Sequence, residues 1–205
     1  MINPPSPVGL AARFVCSSGY LNADYWCDTI MKSKDIAIVG ILLAVGAILR
    51  YFLAMLHTPL TPNMIIAFYC LAIILIQPKV YEALGIGIVA GLLSMLISSS
   101  MFPPANLISE PLGALACFGL YVLLKSRTKL AATATTFIAT LVSGFSFAAI
   151  AILCVGATIL AKYNGNLGSF VIVFVPIVVI TAVFNAIVVQ ILYIPSSRVL
   201  VRGQE

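Results

Sequence analysis

Runs of about 20 apolar residues, the length a helix needs to cross hydrocarbon, recur along most of this chain. A backbone in lipid must satisfy its own N–H and C=O groups, so such runs fold as helices. Barrel strands would alternate apolar and polar residues over short segments, and these runs do not alternate. Composition agrees. Hydrophobic residues make up 62% and charged residues 8%, against about 25% charged in a soluble domain. The expected fold is all-α, an integral membrane bundle of about six transmembrane helices. By run length they cover residues 35–56, 62–77, 79–101, 105–125, 130–160 and 168–194. The second is short, between Pro62 and Pro78. The fifth is long enough to tilt or to include an interfacial turn.

Orientation follows the basic residues. Lys32, Lys34, Lys79, Lys125, Arg127, Lys129, Arg198 and Arg202 fall on one side of a six-span topology, while the other side's loops hold His57 and Lys162. Cytoplasmic loops are enriched in Lys and Arg, so both termini are expected in the cytoplasm. The net charge of +5 is then a topology signal, and its scatter over span ends argues against nucleic-acid binding. Three segments are expected. Residues 1–30 form a polar N-terminal tail, residues 31–195 the six-helix membrane domain, and residues 196–205 a short basic cytoplasmic tail. The tail has no apolar stretch of signal-peptide form. Met31-Lys32-Ser33-Lys34-Asp35 leads directly into span one, so Met31 is read as the natural start, with a genuine cytoplasmic extension as the alternative.

The chemistry-bearing residues are few. Cys70, Cys117 and Cys154 lie in separate apolar spans, where Cys behaves as a small hydrophobe. One His and no metal-ligand spacing imply no metal and no cofactor. No GxxxxGK[ST] stretch is present, so ATP use would belong to partners. Acids within spans are limited to Glu82 and Glu110, at opposite ends, which is too little for an embedded enzyme. Small residues form stripes. Ala37, Gly40, Ala44 and Ala47 share one face of span one, read either as bundle packing or as a docking face for another membrane subunit. Gly87, Gly91, Ser94 and Ser98 do the same in span three, and Thr133, Thr136, Thr140 and Ser143 in span five. Those hydroxyls have the alternative of bonding their own helix backbone.

Polar residues inside spans must face the interior or a cavity. Arg50 lies about two turns before the outer end of span one, roughly 9 Å by helical rise. Tyr51 follows it, Asn63 opens span two, Ser94 and Ser98 approach the outer end of span three, and Asn106 and Glu110 sit at i and i+4 in span four. Depth alone brings these residues from four helices together. Two readings of Arg50 stand. It bridges to Glu110 or snorkels to headgroups, or it clamps a ligand carboxylate with its planar fork. In the second reading Glu110 meets a ligand ammonium, so the pair suits an amino acid. Tyr51, Phe68 and Tyr69 are candidates for an aromatic wall.

Several stretches resemble the TrpP-type tryptophan transporter family. They are the start Met31-Lys32-Ser33-Lys34-Asp35-Ile36, Thr61-Pro62-Asn63-Met64, Gln77-Pro78-Lys79-Val80, the run from Gly85 to Gly91, Asn106-Leu107-Ile108 with Pro111, and Ala182-Val183-Phe184-Asn185. The resemblance covers most of residues 31–195. The family often carries an acidic-then-basic pair before the proline, where this chain has Ser109-Glu110. The resemblance implies a substrate-binding (S) component of an energy-coupling factor (ECF) transporter. Such a component binds substrate at the outer face of a prokaryotic plasma membrane. It docks on a transmembrane coupling subunit driven by two ATPase subunits and topples to release substrate inside. Its alanine-rich first helix makes the docking contact, here Ala37, Gly40, Ala44 and Ala47. Substrate-binding candidates are Arg50, Tyr51, Asn63, Ser94, Ser98, Asn106, Glu110 and Asn185. The resemblance alone names tryptophan. The alternatives are an S component for another vitamin-like ligand, a stand-alone secondary carrier, and a non-transport assembly protein, which would tolerate a charge-neutral change of both Arg50 and Glu110.

Overall fold

The computed structural model describes residues 31–55, 62–98, 100, 102–126, 130–163 and 165–202, with side chains up to Ser196. The N-terminal tail lies outside the described residues, as do His57, Arg127, Lys129 and the side chains of Arg198 and Arg202. The chain divides into two units at Ile36. In the first, only residues 31–36 are described, and they begin the first helix. Everything below concerns the second unit, residues 37–205.

Among the described residues six α-helices follow one another. They are α1 (Ser33–Met55), α2 (Met64–Ile76), α3 (Val80–Ile97), α4 (Asn106–Leu124), α5 (Ala131–Lys162) and α6 (Leu167–Arg202), with a 3₁₀ turn at Pro103–Ala105 before α4. All but α2 are long and apolar enough to cross a membrane. Their outward faces are apolar; Leu96 is 77% exposed and Leu153 84%. In water that would be untenable, and in lipid it is what the solvent requires.

The short helix is the centre of the unit. Every residue from Met64 to Ile74 is buried, and α2 packs against α3, α4, α5 and α6. A helix that is apolar all round must be enclosed. Its 13 residues rise about 20 Å, short of a bilayer core of about 30 Å. It ends at Gln77, whose left-handed backbone (φ 51°) turns its N–H back to the Ile73 carbonyl. Lys125 Nζ donates to Gln77 Oε1 at 2.8 Å, and Glu82 accepts the Lys79 N–H at 2.7 Å to start α3.

Glycines set the closest approaches. A Cβ on Gly87 would lie 2.7 Å from Pro111 Cα, and one on Gly91 would lie 2.9 Å from the Asn106 carbonyl oxygen. The small stripe of α3 is therefore the seat of α4, as packing without a hydrophobic drive demands. In α5, Thr136 and Thr140 donate to the carbonyls of Ala132 and Thr136, at 2.9 and 2.8 Å. This is local back-bonding. Thr133 donates instead to Gln190 of α6. Helix α5 breaks at Val155 (φ −130°, ψ 28°), so its excess length is taken up by a kink.

The inward stripe of α1 is Val39, Leu43 and Gly46, continued one turn later by Arg50. Gly46 receives Phe68 of α2, whose Cβ would be 3.1 Å from a Cβ there. Ala37, Gly40 and Ala44 are exposed on the other side, with Ala47 at the margin. Among the described residues nothing approaches within 4 Å of the space a Cβ on Gly40 would fill.

Candidate functional site

A cavity of about 290 Å³ opens where α1 and α3 end and α2 and α4 begin. That is near the lower edge of small-molecule sites, roughly 300–1,000 Å³. One part of its wall is polar. Arg50 Nη1 donates to Asn63 Oδ1 at 2.7 Å, and Asn63 Nδ2 donates to Glu110 Oε1 at 2.5 Å. Ser143 donates to the other carboxylate oxygen at 3.0 Å. Asn185 Nδ2 reaches the Asn63 carbonyl at 3.1 Å and Thr140 Oγ1 at 3.4 Å. Five helices thus meet in one hydrogen-bonded chain.

The opposite charges of Arg50 and Glu110 are joined through Asn63 rather than directly. Glu110 and Asn185 are fully buried, and an uncompensated charge at such depth is costly. The relay sets one positive against one negative side chain. It also leaves capacity, since Arg carries five N–H donors and each carboxylate oxygen takes more than one hydrogen bond. Tyr69 is fully buried behind this group. Its hydroxyl lies near the Glu110 carboxylate without meeting hydrogen-bond geometry, in the space a Cβ on Gly113 would need.

The other part of the wall is aromatic and aliphatic. Helices α5 and α6 run antiparallel. Contacts step from Thr140–Asn185, through Gly144 against Val178, to Phe147 against Phe174. The rings of Phe147 and Phe174 are near-parallel (11°) with centroids 6.5 Å apart. Phe174 stacks on Phe170 at 5.2 Å, and Phe170 meets Tyr163 edge-on at 5.6 Å. Phe102 packs against the same cluster. The 3₁₀ turn that follows Phe102 leads into Asn106, whose Nδ2 donates to the Pro103 carbonyl at 2.9 Å. The cavity therefore has a charged end at Arg50, Glu110 and Ser143, and an aromatic end at Phe147 and Phe174.

Of the residues expected from sequence, the structure brings Arg50, Asn63, Ser98, Asn106 and Glu110 to the cavity, and Asn185 stands behind Asn63. Two sit elsewhere. Tyr51 is 54% exposed and paired edge-on with Phe52, because adjacent helix positions point about 100° apart and Arg50 takes the inward one. Ser94 is fully buried outside the lining, on the small stripe that seats α4. The aromatic wall is not Tyr51, Phe68 and Tyr69: Phe68 packs on Gly46 and Tyr69 on Gly113. Phe147, Phe174, Ile177, Val178, Thr181 and Ser109 line the cavity without having been expected there. Inside apolar runs, nothing marks which Phe or Val faces inward. Ser143 was visible only as part of a small stripe.

Comparison with known proteins follows the same lines. Residues 32–201 match the family described as Tryptophan transporter TrpP. A relative named "Probable tryptophan transport protein" from Bacillus subtilis (strain 168) is 34% identical over 176 residues, covering 84% of this chain and 95% of the relative. No solved structure gives a significant match. With most of its length matched, a multi-pass helical bundle and a built cavity among its helices, the chain belongs to the TrpP tryptophan transporter family.

Proposed function

We propose that this chain captures tryptophan for uptake across a prokaryotic plasma membrane, as the substrate-binding component of an ATP-driven energy-coupling system. The observation that carries the reading is the Arg50–Asn63–Glu110 relay set across a cavity with an aromatic end. An amino acid is a zwitterion, so its carboxylate and ammonium match Arg50 and Glu110 without adding net charge. Asn63 stands between the two charges, and each has further hydrogen-bonding capacity for its counterpart on the ligand. The indole lies toward Phe147 and Phe174. The family membership and the relative's name support tryptophan as the ligand.

The coupling partner enters through α1. The stripe Ala37, Gly40 and Ala44 faces away from the described helices, so packing among those helices does not account for it. A close helix–helix approach by a separate transmembrane coupling subunit does, with two ATPase subunits behind it. Both termini are then cytoplasmic, and the cavity opens to the outside.

The test is equilibrium binding of tryptophan to the purified full chain in detergent, by calorimetry. Tight binding without ATP is the expected result. Arg50→Ala is expected to weaken tryptophan at least about tenfold, the worth of one charge-assisted hydrogen bond. Tryptamine, which lacks the carboxylate, is expected to bind the variant and the parent alike. Unchanged tryptophan affinity in the variant returns Arg50 to a purely structural bridge. Preference for another ligand over tryptophan, in a panel of aromatic amino acids and vitamins, overturns the ligand assignment.

A further inference from the structure

We infer that Asn106 Oδ1 accepts a hydrogen bond from the ring N–H of the bound indole, which makes Asn106 the residue that separates indoles from other aromatic side chains. The inference rests on the tryptophan reading above and adds the recognising atom.

Asn106 is held in place from two sides. Its backbone carbonyl lies against Gly91, where a Cβ would come within 2.9 Å. Its Nδ2 donates to the Pro103 carbonyl at 2.9 Å. A carbonyl accepts only from the amide nitrogen, so this bond fixes which way the amide faces and leaves Oδ1 as the free end. Asn106 is 3% exposed and lines the cavity. With Nδ2 committed to Pro103, Oδ1 is the amide atom left to accept from a donor in the cavity.

Its position fits the ring rather than the amino-acid head. Asn106 and Glu110 are i and i+4 on α4, one turn apart, about 6 Å by helical rise. That is the order of the separation between the α-ammonium and the ring nitrogen of tryptophan. Glu110 stands at the charged end, beside Ser143. Asn106 is bonded to the turn next to Phe102, which packs with Phe147, Phe170 and Phe174. Ser98 donates to Ser100 at 2.8 Å. Ser109 lines the same cavity, and its Oγ is buried without a hydrogen-bond partner among the described residues; a hydroxyl both donates and accepts, whereas Asn106 Oδ1 only accepts, which is the match to a ring N–H. A site that hydrogen-bonds a substrate N–H rejects analogues lacking it far more strongly than an apolar slot can.

The test measures two ligands on two proteins, full-length chain in detergent. The ligands are tryptophan and its sulfur isostere, 3-(benzothiophen-3-yl)alanine, which has no ring N–H. The parent protein is expected to bind tryptophan at least about tenfold more tightly than the isostere. In Asn106→Ala, tryptophan is expected to fall to the isostere's level, with the isostere little changed, so that the ratio approaches one. A parallel fall of both ligands would mean that Asn106 acts only through the Pro103 turn, and overturns the inference. So does a ratio near one in the parent, or a ratio preserved in the variant; either leaves the tryptophan reading standing. Failure of the parent to bind tryptophan overturns that reading and the inference together.

Discussion

At the residue scale, the site depends on small side chains as much as on charged ones. Gly113 admits the Tyr69 hydroxyl, and a Cβ there would also come within 2.9 Å of Ser143 Cβ. Ser143 holds one oxygen of Glu110, so crowding at Gly113 reaches the carboxylate through its neighbour. Overpacking of this kind typically costs about 1–3 kcal/mol. Gly113→Ala is expected to lower the thermal midpoint in detergent and to weaken tryptophan binding. Tyr69→Phe removes the atom in the way, so the double variant is expected to recover part of the midpoint. No recovery would place the strain at Ser143 alone. Arg50 answers to the same physics from the other direction. An isolated guanidinium at membrane depth costs roughly 2.5 kcal/mol or more, and the Asn63 bond at 2.7 Å offsets part of it.

At the element scale, two glycines of α3 separate packing from propensity. Gly91 lies against the Asn106 backbone, whereas among the described residues nothing is within 4 Å of a Cβ on Gly85, and both are in α3. Alanine is the better helix former by about 1 kcal/mol in solution, so Gly85→Ala is expected to be neutral or slightly stabilising. Gly91→Ala is expected to lower the midpoint and to loosen tryptophan binding by shifting Asn106. Equal effects at the two positions would show that α3 and α4 have room to separate. The same elements show what could be read beforehand. Run length placed five of the six helices to within about four residues, because hydrocarbon thickness dictates it; the sixth, read as ending at 194, continues to Arg202. Arg50, Asn63, Asn106 and Glu110 stood out because a polar group in a span demands a reason. What could not be read was azimuth. Every residue of α2 from Met64 to Ile74 is buried, so the helix carries no amphipathic signal, and Tyr69 looks the same as a residue facing a ligand. Phe147 and Phe174 differ from the lipid-facing Phe145 and Phe184 only in direction.

At the scale of the whole molecule, α1 has two faces of different character. One face presents Gly46 to Phe68 and Arg50 to Asn63. The other presents Ala37, Gly40 and Ala44 outward. Lipid alone would accept larger apolar residues there, as it accepts the exposed Ile41 and Ile48 on the same helix. A second helix packed closely would not. Gly40→Leu is therefore a clean probe, because no described residue fills the space a Cβ on Gly40 would take. Tryptophan affinity of the purified variant is expected to match the parent, since no site residue is touched. Uptake by cells carrying the variant is expected to fall at least about tenfold, as a clash at a small-residue contact removes its close packing. Normal uptake with normal binding would show that nothing docks on this face, and would turn the search toward a carrier that works without the coupling subunit. Impaired binding would show instead that α1 had moved in the bundle, in which case Ala44→Leu, on the same outward stripe, provides the second reading.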